Sequence, residues 1–246
     1  MLQHTNAIIL RQVKYGESSI IVTAYTEKFG LQSYIVKGVR QVAKKTGSNK
    51  AIYFQPGAIL EMEVYHNELK NLQFVKDYQW HIVYQQVFFD VARNSIALYI
   101  VELLLHSIRQ TETNEDLFAF ILEGLMAADS LRNSEVANLP LVFTLQLCNQ
   151  LGFQLQGQYN EKNQYLDLQQ GFFVSQTPLH VYFVSGDTAK NIGLLLTLND
   201  FNGIGKIALN RIQRENILQA LQQFLTLHIA GYGELKSLPV LKTILG

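Results

Sequence analysis

Five cations and no acid occupy residues 37–57, KGVRQVAKKTGSNKAIYFQPG: Lys37, Arg40, Lys44, Lys45 and Lys50. Such side chains follow the phosphates of a polyanion, and Gly47 and Ser48 between them let backbone N–H groups approach anionic oxygen. Tyr34, Tyr53 and Phe54 flank the run, and exposed rings beside cations are the usual means of stacking unpaired bases. Arg11 and Lys14 extend the same basic stretch toward the N-terminus. The competing reading is a solvated lysine loop beside core aromatics, and composition alone does not separate the two.

A second, smaller group lies far along the chain. Arg211 and Arg214 are one turn apart on an expected helix, with Lys206 near its start. Three cations so spaced suit an acidic peptide, although the same spacing describes an ordinary exposed helix face.

Other chemistries lack their residues. The six histidines (His4, His66, His81, His106, His180, His228) show no i, i+4 pair of the kind a helical zinc site uses. One cysteine, Cys148, excludes an internal disulfide and a multi-thiolate cage, and its setting, LVFTLQLCNQLG, is that of a packed thiol. GIGK at 203–206 lacks both the earlier glycine and the following Ser or Thr of a phosphate-binding loop, and no Gly-x-Ser-x-Gly elbow occurs. An enzyme is not expected, nor a metal or other cofactor.

The elements that must position these groups change character along the chain. Over residues 1–80, NAIILRQVKYG, SSIIVTAYTEKFG, LQSYIVKGV, GAILEMEVYH and LQFVKDYQW are short alternating segments divided by glycine turns, which predict five strands and a small closed barrel. From about residue 83 the apolar spacing becomes helical, and residues 81–246 read as a helix bundle. Asn114 is a predicted N-cap and Gly152 a predicted helix stop. Within the bundle, residues 153–178 return to alternation and predict a β-hairpin turning near Gly171. The fold class is therefore α+β, a β-barrel followed by helices with a small hairpin insertion.

Charge follows the same division. Residues 1–80 hold ten Lys and Arg against six Asp and Glu, and residues 81–246 hold ten against fourteen, although the whole is neutral. A polyanion should meet the first part. The start, MLQHTNAIIL, shows no basic segment followed by a long apolar run, and IALYIVELLL at 96–105 is too short to span a bilayer and carries Glu102. A cytoplasmic location is expected.

Four blocks together are similar to one known family. AIILRQVKYGESSIIVTAYTEKFGLQSYIVKGVR near the start, FQPG after the basic loop, LCNQLGF in the middle and LTLHIAGYGELKSLPVL at the end occur in the order found in the bacterial recombination mediator RecO family, which the chain resembles from end to end. The resemblance implies an OB-fold followed by a helical domain, and binding without catalysis: single- and double-stranded DNA, annealing of complementary strands, the C-terminal tail of single-stranded-DNA-binding protein, and RecR, with which such proteins help RecA load. It implies a nucleoid-associated site of action. Lys37 and Arg40 of KGVR match the family's basic strand end, while Lys44, Lys45 and Lys50 follow by continuity. Many relatives carry a four-cysteine zinc module after LGF; FQLQGQYNEKNQYLDLQQGFF has no cysteine, so zinc is not expected and Tyr159, Tyr165, Leu166, Phe172 and Phe173 must hold the hairpin by packing. A rival reading is a protein–protein adaptor that keeps the barrel but has little DNA affinity.

Overall fold

A computed structural model describes residues 1–40, 50–108 and 112–244. Lys44, Lys45, Gly47 and Ser48 lie outside the described residues. Compact packing divides the chain into two units, Met1–Gln85 with Leu104–Leu125, and Gln86–Leu103 with Met126–Gly246.

The first unit contains the five strands that alternation predicts: β1 (Leu2–Tyr15), β2 (Ser19–Thr26), β3 (Gly30–Val36), β4 (Ile59–Tyr65) and β5 (Leu72–Ile82). They close in the order β1-β2-β3-β5-β4, with β3 and β5 parallel and the other neighbours antiparallel. This is the OB-fold, a Greek-key barrel without free edges. Ile20, Val22 and Ala24 of β2, Tyr34 and Val36 of β3, and Leu60, Met62 and Val64 of β4 point inward and are buried. Strict alternation fails in β1, where Ala7, Ile8, Ile9 and Leu10 are all buried. There the outer face of the barrel is covered as well: Tyr25 of β2 stacks on Phe118, with ring centroids 6.5 Å apart. A shift of register between Ile9 and Arg11 then turns the second half of β1 toward solvent.

Phe118 belongs to α2 (Glu115–Ser130), which follows α1 (Val91–Ser107); the division between units falls within both helices. Asn114 caps α2 as expected, its Oδ1 accepting from Leu117 N at 2.9 Å. At the other end of α2, the buried guanidinium of Arg93 donates to the carbonyls of Ala128 (2.6 Å), Asp129 (3.1 Å) and Leu131 (2.6 Å), and to Asn133 Oδ1 (2.8 Å). One cation thereby satisfies the orphan acceptors of a helix end, where the dipole favours it.

The second unit continues with α3 (Asn133–Val136), α4 (Leu139–Gln150), α5 (Gly186–Leu195), α6 (Arg211–His228) and α7 (Ser237–Ile244). Leu139 to Leu145 are all buried, as are Leu147 and Cys148, so α4 is apolar around most of its circumference and lies at the centre. Burial pushes the Cys148 thiol up to about 12, which makes it a packing group rather than a nucleophile. Gly152 ends α4 at φ +83°, with Phe153 N bonded to Cys148 O and Gly152 N to Asn149 O.

The hairpin is present as β6 (Tyr165–Asp167) and β7 (Phe172–Val174), and a third strand, β8 (Phe183–Val184), adds to the far side of β6. Two residues are too few to show a period, so sequence analysis missed β8. Leu166 and Phe173 are core, Tyr159 meets Phe173 edge-on at 6.2 Å, and Tyr165 meets Phe183 edge-on at 5.9 Å. Phe172 departs from the expectation: it is 44% exposed, because it sits on the outward face opposite Asp167. A polar clip adds to the packing. Asp167 is buried, its Oδ1 accepts from Gln169 N and Gln170 N, and its Oδ2 lies 3.1 Å from His180 Nε2. Tyr182 N donates to His180 Nδ1, which places the neutral ring's proton on Nε2, facing the carboxylate.

Candidate functional site

Strand direction decides where the basic residues meet. β1, β3 and β5 end, and β2 and β4 begin, at the same end of the barrel. Lys14 is the penultimate residue of β1, Lys37 directly follows β3, and Lys50 opens the 3-10 turn Lys50–Phe54 that leads into β4. The register supports the grouping, since Lys14 lies opposite Ile20, and Ile20 opposite Val36. Arg11 lies lower on β1, level with Thr23. Residues separated by up to 39 positions are thus collected by topology at one rim.

Lys37 and Lys50 are exposed, as are Arg11 and Lys14, and Lys37 Nζ sits 5.1 Å from the centre of the Phe74 ring. None of these four, nor Arg40, forms an ion pair with a described acid. Arg40 is more committed: its Nη1 donates to Gly16 O at 2.9 Å, and its backbone N to Ser18 O at 3.0 Å. It fastens the chain leaving β3 to the β1–β2 turn, where Gly16 takes φ +59°. Glu17 in that turn is an acid at this end, whereas Glu61 and Glu63 lie along β4 and are engaged by Gln79 and Lys76.

Tyr53 stands on the same 3-10 turn, stacked on Trp80 at 5.0 Å and edge-on to Tyr78 at 5.3 Å. Phe54 is fully buried against Tyr78 and anchors the turn. Sequence analysis did not single out Trp80 or Tyr78; they join the cluster through the end of β5. Tyr34 requires a correction. It pairs opposite Val22 on the inward face of β3 and is 0% exposed, so it is a core ring and not a surface for bases. The alternation that made it a strand residue also set its phase, and a large ring in that phase fills the barrel.

At the barrel's other end, a polar groove of about 740 Å³ is bordered by Lys28, Lys70, Glu68 and Glu112. Its cations and acids are balanced, in contrast to the rim.

The second predicted group lies in the helical unit. Arg211 and Arg214 border a small pocket with an apolar floor of Pro140, Leu141, Leu218 and Leu241, and Lys242 of α7 and Glu215 complete its rim. Lys206 does not line it; it closes a separate 3-10 turn, Phe201–Lys206, capped by Asp200. Lys242 was not anticipated, because α7 approaches α6 only in the folded chain. Arg211 Nε donates to Glu215 Oε1 at 2.8 Å, and Arg214 Nη1 to Leu209 O at 2.6 Å. Burial lowers the pKa of the Arg214 guanidinium. The helix itself begins at a reciprocal cap between Asn210 and Gln213, which fixes how Arg211 and Arg214 project.

Comparison with known proteins covers both units. The family model for the recombination protein O N-terminal region matches residues 1–83, and that for the recombination protein O C-terminal region matches residues 89–239. The chain is 33% identical over 248 residues to a DNA repair protein RecO of Christiangramia forsetii, with 100% of each chain covered. It is 31% identical over 242 residues to that of Flavobacterium psychrophilum, covering 98% of each, and 29% identical over 244 residues to that of Azobacteroides pseudotrichonymphae, covering 99% of each.

Proposed function

The chain belongs to the RecO family of DNA repair proteins, and on that footing we propose that its barrel rim holds DNA while its helical unit receives an acidic protein tail. The observation that carries the first half is the gathering of Lys14, Lys37, Arg40 and Lys50 at one end of the OB-fold without a described acid paired to any of them. Exposed cations of this kind gain free energy from releasing the counterions condensed on a nucleic acid, and the gain is independent of base sequence. Lys44 and Lys45, in the connecting segment between Arg40 and Lys50, belong to the same proposal by sequence alone. Arg11 adds a contact lower on β1.

The mode of action is competition among affinities, with no bond made or broken. Strands held at the rim are presented for annealing, and with RecR the protein assists RecA loading on strands covered by single-stranded-DNA-binding protein. Both single and double strands fit a site that reads phosphate. The acidic C-terminal tail of single-stranded-DNA-binding protein fits the helical pocket, where Arg211, Arg214 and Lys242 surround an apolar floor. Lys206 is left out of that assignment, and the action takes place in the cytoplasm, at the nucleoid.

The test is a titration of labelled single-stranded oligonucleotide at several salt concentrations, comparing the native chain with Lys14→Glu/Lys37→Glu/Lys50→Glu. Affinity at low salt should fall by about a hundredfold and the salt slope should flatten by about two units. Unchanged affinity and slope would favour the adaptor reading, in which the barrel has little DNA affinity of its own.

A further inference from the structure

The rim of the helical pocket contains a carboxylate where a site for acids would be expected to have none. Glu215 lies on α6 one turn beyond Arg211, and its Oε1 accepts from Arg211 Nε at 2.8 Å. Both side chains border the pocket and remain substantially exposed. An arriving ligand carboxylate therefore finds Arg211 already engaged. Binding there exchanges one carboxylate for another and leaves Glu215 as an anion beside the newcomer, so a single acid gains almost nothing.

The remaining cations are arranged differently. Arg214 has given one arm to Leu209 O, but to a neutral carbonyl, so its charge is not cancelled. Lys242 reaches the rim from α7 and forms no ion pair with a described acid. A second and a third ligand acid can meet these two without displacing a carboxylate. The advantage of a multiply acidic ligand over a singly acidic one thus comes from Glu215 as much as from the cations, since discrimination is a difference of affinities and repulsion of the wrong ligand contributes to it.

We infer that Glu215 is a specificity determinant: it makes the pocket reject apolar peptides that carry one acid and accept those that carry several. This deepens the reading of the pocket as a site for acidic tails and rests on it. Sequence analysis could not have found it, because Glu215 reads there only as an i, i+4 partner of Arg211.

The experiment uses the full chain, native and Glu215→Gln, titrated by fluorescence anisotropy with two short peptides that share an apolar C-terminal residue and carry one or three acids. The three-acid peptide should bind the native chain more tightly. Glu215→Gln should tighten the one-acid peptide by about three- to fivefold, the range open to an exposed ion pair, and the three-acid peptide by less than about twofold. The preference should narrow. An unchanged preference overturns the inference, and so does weaker binding of both peptides, which would mean that Glu215 orients Arg211 for the ligand. If the native chain binds neither peptide, or if Lys242→Glu leaves three-acid binding intact, the pocket reading itself falls and the inference with it.

Discussion

The barrel rim and the helical unit use the same residue types to opposite ends. At the rim, Lys14, Lys37 and Lys50 are exposed and meet no described acid. In the helical unit the arginines have internal acceptors: Arg93 is 2% exposed and binds the carbonyls that end α2, Arg211 binds Glu215, and Arg214 binds Leu209 O. A cation whose hydrogen bonds are met inside the chain contributes to folding or to selectivity. One left to water retains its full attraction for a polyanion. Arg40 stands between the two cases, since it carries rim charge while bonding Gly16 O.

The largest expected effect tests the committed side of that contrast. Arg93→Met should leave the final carbonyls of α2 without donors and lower unfolding free energy by about 3–5 kcal/mol, as the loss of a buried charged donor does; chemical denaturation measures it. A loss below about 1 kcal/mol would show that water substitutes for the guanidinium.

The next is a double dissociation. Lys14→Glu/Lys37→Glu/Lys50→Glu should reduce oligonucleotide affinity about a hundredfold and leave acidic-peptide affinity unchanged. Arg211→Ala/Lys242→Ala should do the reverse, with peptide affinity falling about tenfold, in line with loss of two charge-assisted contacts. If either set of substitutions weakens both ligands equally, rim and pocket do not act as separate sites.

Salt sharpens the distinction further. Oligonucleotide binding should weaken steeply as salt rises, with a slope of several units. Peptide binding, which draws on an apolar floor and a few charges, should weaken with a slope of about one. Parallel slopes would contradict the division of roles.

The smallest effect belongs to the intermediate residue. Arg40→Lys keeps the charge but loses the planar fork that reaches Gly16 O, so oligonucleotide affinity should fall by about twofold, and Arg40→Ala by about fivefold. Equal losses would assign Arg40 a role as a fastener of the β1–β2 turn and not as a contact.

Much of the fold was legible in the residues because local periodicity carries it. The five strands, the α2 cap at Asn114 and the stop at Gly152 all follow from patterns a few residues long. The site was legible only in part. Lys37 and Lys50 could be named from their types, but Tyr34 could not be told from Tyr53, since both are tyrosines beside a basic run and only strand phase sends one ring into the core. Trp80 and Lys242 entered their clusters from distant segments, which no short-range signal announces.

The sequence by itself determined which segments alternate and which recur at helical spacing, and that the excess of positive charge lies in the first eighty residues. Closure of the sheet decided the rest. Antiparallel pairing with one parallel neighbour brings the ends of β1 and β3 and the start of β4 to one rim, and that is a property of strand order, which periodicity does not encode. Glu102 makes the same point in the helical unit: an acid inside an apolar run is a puzzle in one dimension. In three, its two oxygens accept from Lys236 N and Ser237 N and begin α7, because a buried carboxylate is stable where a helix start offers it N–H donors.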